Sequence, residues 1–162
     1  MQATALSQFQ RRRVRVTLRG GHIVEGNVHV TEGQSLTLFM ATRRFFANMT
    51  EVSWVGETQT MEHLGVRAEH IYWARPIADD MHVSATLPPT HVERWAELTM
   101  DDGTVVNVGL YIAEEQRLTD YIDAATGYLP VREAVLAGKD ESLGEVVVNT
   151  GAVLAIREIT PP

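Results

Sequence analysis

The chain has 162 residues, no cysteine and a formal net charge of −7. The lack of cysteine excludes disulfides, thiol nucleophiles and thiolate metal ligands, and the negative charge argues against nonspecific nucleic-acid binding by the whole molecule. No apolar run approaches the roughly 20 residues that cross a bilayer, and no basic-then-apolar leader opens the sequence. We therefore expect a cytoplasmic protein with a globular core and no membrane partner.

The first predicted elements form a β-hairpin. Val14 and Val16 alternate with polar residues, which is the period of a strand with one buried face. The pair Gly20-Gly21 supplies a tight turn, and apolar residues between 24 and 30 share one face of the returning strand. The preceding segment 1–12, "MQATALSQFQRR", predicts a short helix.

The following segments also predict mostly β structure. "SLTLFM" predicts a helical turn capped by Thr37, since a threonine hydroxyl accepts hydrogen bonds from free amides. Strands are predicted near 45–55, 61–67 and 70–75. Five short strands joined by tight turns indicate a small, strongly bent sheet or barrel.

An internal duplication sets the domain organisation. Residues 12–77 align without gaps on 94–159 at an offset of 82 positions, and 13 of the 66 pairs are identical. The second copy therefore repeats each predicted element, including a helical turn capped by Thr119. The identical pairs begin at Arg12, Thr17, Gly21, Val24, Glu32, Gln34, Leu36, Thr37, Glu51, Gly56, Val66, Arg75 and Ile77.

The two copies differ in charge. We predict a first repeat over 1–78, a linker over 79–93 and a second repeat over 94–162. Residues 1–80 carry 9 basic and 8 acidic side chains, a net charge of +1, whereas 81–162 carry 5 and 13, a net charge of −8. Only the first repeat is therefore expected to face an anion.

Two segments of the first repeat resemble the Sm motifs. The hairpin "VTLRGGHIVEG" resembles the first motif, and "LGVRAEHIYWARPI" is similar to the second, in which a strand ends in Arg-Gly and the next begins with isoleucine or valine. The resemblance implies two tandem Sm-like domains, each a strongly bent five-stranded barrel, with a short N-terminal helix. Such units form rings of six or seven through strand edges and bind single-stranded RNA, often uridine-rich. A homo-oligomer of three chains would supply six units.

The resemblance also implies an RNA site in the first repeat. The arginine of the second motif falls on Arg67, and the base-pocket asparagine falls on Asn48. The acidic position that supports them in the family falls on Arg44. The second repeat has Pro130 and Asn149 at the two places, so only the first repeat is expected to bind RNA in this way.

A row of arginines on the first predicted strand is a further candidate RNA contact. Arg11, Arg12, Arg13 and Arg15 can follow a phosphate backbone, which would give salt-dependent binding. The alternative is that alternating arginines form the solvent face of the strand.

No enzyme is predicted. The sequence contains no nucleophile elbow, phosphate-binding glycine loop or dinucleotide fingerprint, so we expect no catalysis and no cofactor. The pairs His22 with His29 and His63 with His70 have no counterparts in the second copy, and no metal site is predicted.

Two other binding functions stay open. A protein scaffold without a nucleic-acid ligand suits the acidic second repeat. PilZ domains, which bind cyclic di-guanylate, use an Arg-x-x-x-Arg motif, and Arg11 and Arg15 have that spacing. The segment "HVTEGQ" departs from the second PilZ motif at His29 and Gln34.

Overall fold

The computed structural model describes residues 9–84, 91–125 and 127–161. The elements of the first copy are the strands β1 (Phe9–Leu18), β2 (Ile23–Thr31), β3 (Phe46–Trp54), β4 (Met61–Arg67) and β5 (Ile71–Pro76), with helix α1 (Leu36–Ala41) after β2. The elements of the second copy are β6 (His91–Met100), β7 (Val105–Ala113), β8 (Tyr128–Leu136), β9 (Glu141–Asn149) and β10 (Val153–Ile159), with helix α2 (Leu118–Ala124) after β7.

The ten strands form one open antiparallel sheet in the order β10-β6-β7-β8-β9-β5-β1-β2-β3-β4. Each copy contributes five adjacent strands, and the copies join where β5 pairs with β9. The prediction of a mostly β chain is confirmed, and the two copies share one continuous sheet.

The offset of 82 positions also holds in the structure. β6, β7 and β8 begin and end 82 residues after β1, β2 and β3, and a single 3₁₀ turn precedes the last strand of each copy, at Ala68–His70 and Thr150–Ala152. The valines of β1 and β2 that alternate in the sequence are buried, as the period of two predicts. Two successive units of one architecture therefore build the sheet.

The helix predictions need correction. β1 begins at Phe9, so residues 9–12 are strand, while the rest of the helix predicted over 1–12 lies outside the described residues. Ser35 caps α1 by accepting a hydrogen bond from the Leu38 amide, because Thr37 lies inside the helix and donates to the Val83 carbonyl at 2.6 Å. Thr119 likewise lies inside α2, whose N-cap residue Arg117 makes no side-chain capping bond.

Two apolar cores lie against this sheet, and each includes side chains from the other copy. Val147 of the second copy is buried in the first core, beside Ala74. Tyr72 and Trp73 of the first copy are buried in the second core, with Val148. The segment predicted as a linker also contributes, since Met81 and Val83 pack in the first core. Each copy therefore completes the core of its neighbour.

We predict that Gly26→Ala destabilises the fold. A Cβ atom at this position would lie 2.9 Å from Cγ2 of Val52 and 3.2 Å from the Thr50 carbonyl oxygen, closer than packed atoms approach. Relief of this overlap should cost about 1–3 kcal/mol of unfolding free energy, measured by urea denaturation. Gly65→Ala is the matched control, because its Cβ would meet neighbours only at 3.5 Å or more. Equal stabilities of the two variants would contradict the close packing of β2 on β3.

Candidate functional site

The structure brings Arg67 and Asn48 onto one face of the β3–β4 hairpin. In the register of this hairpin Arg67 lies opposite Phe46, and Asn48 lies opposite Gly65. Residues two apart on a strand point the same way, so the three side chains of Phe46, Asn48 and Arg67 share the outward face. Phe46 is 47% exposed.

Arg67 has local partners on this face. Its guanidinium carbon lies 5.2 Å from the centroid of the Phe46 ring, and its Nη1 atom lies 3.5 Å from Oε1 of Glu69. The Arg67 side chain is nevertheless 46% exposed. An arginine, an amide and an exposed ring therefore form a small open surface that can stack a base and donate to its acceptors.

The arginines of β1 are engaged with groups of the same repeat. Arg11 lies 3.6 Å from the Glu51 carboxylate, and Arg13 donates to the Glu51 carbonyl oxygen at 2.9 Å. Arg15 donates through Nε to Glu25 at 2.6 Å. Two carboxylates therefore offset part of the positive charge that the three arginines place on the outward face of β1.

Arg12 points to the other face of β1. Arg12 is two residues from the buried Val14, so the two side chains point to the same face of the strand. The Nε atom of Arg12 lies 3.8 Å from Oδ2 of Asp80. The structure thus separates Arg12 from Arg11, Arg13 and Arg15, and it places all four on a different part of the sheet from Arg67. The Arg11–Arg15 spacing corresponds to two outward side chains, each beside a carboxylate.

The position equivalent to Arg67 has a structural role in the second copy. Asn149 lies 82 residues after Arg67 and is 8% exposed. Its Nδ2 atom donates across the junction of the two copies to the Ile71 carbonyl oxygen at 2.9 Å, and its Oδ1 atom accepts from the Gly151 amide at 3.0 Å. The equivalent of Arg67 in the second copy therefore contacts the neighbouring repeat.

A polar network that the sequence reasoning did not identify also crosses this junction, which we call the seam. Arg19 donates through Nη2 to Asp101 at 2.6 Å, and the Tyr72 hydroxyl donates to the same carboxylate. Burial, and then the hydrogen bond to Asp101, raise the pKa of Tyr72 to about 12. The bonds from Tyr72 and Arg19 lower the pKa of Asp101. The available signal was the charge reversal between Arg19 and Asp101, which are equivalent positions at the offset of 82.

The two outermost strands of the sheet are the counterparts of the two seam strands. β4 corresponds to β9, and β10 corresponds to β5. In β5 the residues Ile71–Ala74 are all buried, whereas β10 exposes Leu154 to 71%. Each outer edge of the sheet is therefore formed by the equivalent of a strand that is paired at the seam.

No protein-family model matches the chain, and no curated protein or solved structure shows significant similarity to it. Within the described ranges, no group of three or more histidine or acidic side chains is arranged to hold a metal ion. No helix in that part of the chain is long and apolar enough to cross a membrane.

We predict that acid weakens the seam through Asp101. Because the pKa of Asp101 is lower in the folded chain than the ordinary 3.8, its contribution to stability is complete above that value and is lost as the pH falls through the folded pKa. Asp101→Asn should therefore show a flatter fall in unfolding free energy below about pH 4 than the native chain, measured by urea denaturation across pH. Asp123→Asn, at an exposed position on α2, is the control and should keep the native slope. Parallel slopes for all three proteins would refute the role of Asp101.

Proposed function

We propose that the chain is a non-enzymatic, self-assembling scaffold of Sm-like type, in which each set of five strands acts as one Sm-like barrel unit. Copies join head to tail, with β10 of one chain paired to β4 of the next. The observation that carries this proposal is the seam itself, where β5 and β9 pair inside one chain. Unpaired strand edges readily accept a further strand, and the outermost strands among the described residues, β4 and β10, are equivalent to strands that already pair.

The register of the seam predicts the contacts between chains. Within the chain Trp73 pairs with Val148, and Ala74 pairs with Val147. The same register at the offset of 82 places Ala155 opposite Val66 of a second copy, and Ile156 opposite Gly65 of that copy. The small residues at these positions allow close approach of the two backbones.

The seam network supports a closed assembly. Arg19 and Asp101 are equivalent positions of successive units, yet their side chains touch. In a ring of six units, successive units are rotated by about 60°, so the distance between equivalent positions of neighbouring units equals their distance from the ring axis. The contact between Arg19 and Asp101 would therefore place both residues close to the axis. Arginine and aspartate would then alternate around the axis, so each junction between chains would also bring opposite charges together.

We predict that Leu154→Glu prevents assembly. Leu154 occupies the place of Tyr72, which is buried at the seam, so a carboxylate there should meet the partner chain and lose its water. The native chain of 18.0 kDa should give a particle of about 54 kDa by light scattering, and the variant should give a folded monomer. Val55→Glu places the same charge on an apolar residue that is 47% exposed and whose amide bonds to the Ile23 carbonyl oxygen rather than to an edge strand, and it should assemble normally. A native protein that stays monomeric at micromolar concentration would exclude the scaffold.

A second candidate function is the binding of single-stranded RNA by the first repeat. The observation that favours it is the shared face of Phe46, Asn48 and Arg67, because an exposed ring and a guanidinium are the groups that stack on unpaired bases. The acidic second repeat would then act only as the spacer between RNA-binding units.

We predict that Arg67→Ala lowers the affinity for oligouridine about tenfold in fluorescence anisotropy at low salt, since it removes a stacking and donor group. Arg132→Ala is a closely matched control. Arg132 lies 4.7 Å from the Tyr111 ring centroid and 3.3 Å from Glu145, and its side chain is 48% exposed. This variant should bind within about twofold of the native chain. If the native chain shows no affinity for oligouridine at about 50 mM salt, RNA binding is excluded while the scaffold stands.

A further inference from the structure

A cleft of about 570 Å³ lies along the seam within a single chain. One wall comes from β1 and β5, including Thr17 and Trp73, and the other comes from the β6–β7 turn and the β8–β9 hairpin, including Val105 and Leu136. The volume falls within the range of small-molecule sites, and most of the lining is apolar. Only the joining of the two copies creates this space.

Two arginines lie side by side on the first wall. Arg15 on β1 is directly opposite Arg75 on β5, and both line the cleft. Like charges that face one another across a strand pair are destabilising. Glu25 neutralises Arg15 from the other side, whereas no carboxylate of the described residues lies within 4.0 Å of the Arg75 guanidinium. Arg75 therefore presents a positive charge to the cleft.

The second copy shows that the fold does not require this pair of arginines. Glu97 and Arg157 lie 82 residues after Arg15 and Arg75 and face one another in the same register. There the two side chains form an ion pair with Arg157 Nη2 2.9 Å from Glu97 Oε2. The same strand pair thus holds opposite charges at the outer edge of the sheet and two positive charges beside the cleft.

The opposite wall carries polar groups of both signs. Lys139 lies on the β8–β9 hairpin with Glu141 two residues further on, and Asp102 lies on the β6–β7 turn. Asp102 already accepts a hydrogen bond from the Thr104 amide at 2.8 Å. No acidic side chain in the described ranges lies within 4.0 Å of the Lys139 ammonium, so Lys139 is a second cation available to a ligand.

The geometry points to a binding site for a small organic anion with a flat apolar body of one or two rings. Its oxyanion binds the Arg75 guanidinium, which offers paired donors suited to a planar or tetrahedral oxyanion, and Lys139 approaches from the other wall. Its apolar body lies between Trp73 of the first wall and Leu136 of the opposite wall. This site goes beyond the proposed scaffold function and does not depend on it, because one chain provides every lining residue.

The test uses naphthalene-2-sulfonate as the probe, with 2-naphthalenemethanol and inorganic sulfate as its apolar and anionic halves. In a titration followed by amide NMR, the sulfonate should bind the native chain with Kd of about 1 mM or tighter, and each half should bind at least about tenfold more weakly. Arg75→Gln should weaken sulfonate binding about tenfold, and Arg75→Lys, which keeps the charge but loses the paired donors, should bind with an affinity between those of Arg75→Gln and the native chain. Arg157→Gln, the equivalent change in the second copy, should leave the affinity unchanged.

A stability measurement gives an independent check. Arg75→Glu places an opposite charge beside Arg15, as in the second copy, so its Tm should rise by about 1–3 °C while sulfonate binding is lost. Leu154→Glu should bind the probe like the native chain, which separates a failure of the cleft from a failure of assembly. Equal affinity of the native chain and Arg75→Gln, equal affinity for the sulfonate and the alcohol, or a lower Tm for Arg75→Glu would each overturn the proposal.

Discussion

The pairing of β5 with β9 is a short contact, with two registered residue pairs, but both faces of the sheet are buried at this point. Alternate residues of the paired strands point to opposite sides, so Ala74 and Val147 enter the first core while Trp73 and Val148 enter the second. A strand that is buried on both faces has no solvent-exposed face, so its side chains on both faces are apolar. The seam thereby joins the two copies and places Trp73 of the first copy and Val147 of the second in the core of the neighbouring copy.

Charge differs between the copies at the positions that the fold leaves free. Most buried apolar positions correspond at the offset of 82, as with Val24 and Val106, which are both fully buried. At the surface the equivalents differ, for example Arg15 and Glu97. The shared positions explain the common architecture, whereas the differing ones give the seam its ion pair and its cleft. A duplicated chain thus contains its own comparison, because one copy shows what the fold needs and the other what it can vary.

The strands were predictable from the sequence because their signal is local. The alternation of β1 and the turn residues set its hairpin, and the duplication carried those bounds to the second copy. Both helix caps were predicted two residues too late; in the first copy Ser35 and Thr37 are both suitable by residue type, and only backbone geometry separates them. The shared face of Arg67 and Asn48 could also be reached from the pairing of consecutive strands.

The seam could not be predicted, because its contacts join residues about 75 positions apart, such as Trp73 and Val148. A weak signal existed in the continuous apolar runs Ile71–Ala74 and Val146–Val148, which indicate strands covered on both sides rather than on one. The roles of Arg75 and Asp101 depend on that contact and were hidden with it. The identity of a charged residue does not show which distant residue its side chain will contact in the folded chain.

The exchange of core residues between the copies also constrains the order in which the chain acquires its structure. Val147 belongs to the first core, so β1–β5 lack part of their packing until the ribosome has synthesised the strand that carries it. During that interval β5 has an uncovered edge and Trp73 an uncovered ring, in a segment that pairs readily with other strands. The first copy is therefore open to incorrect strand pairing until the second copy has been synthesised and covers β5.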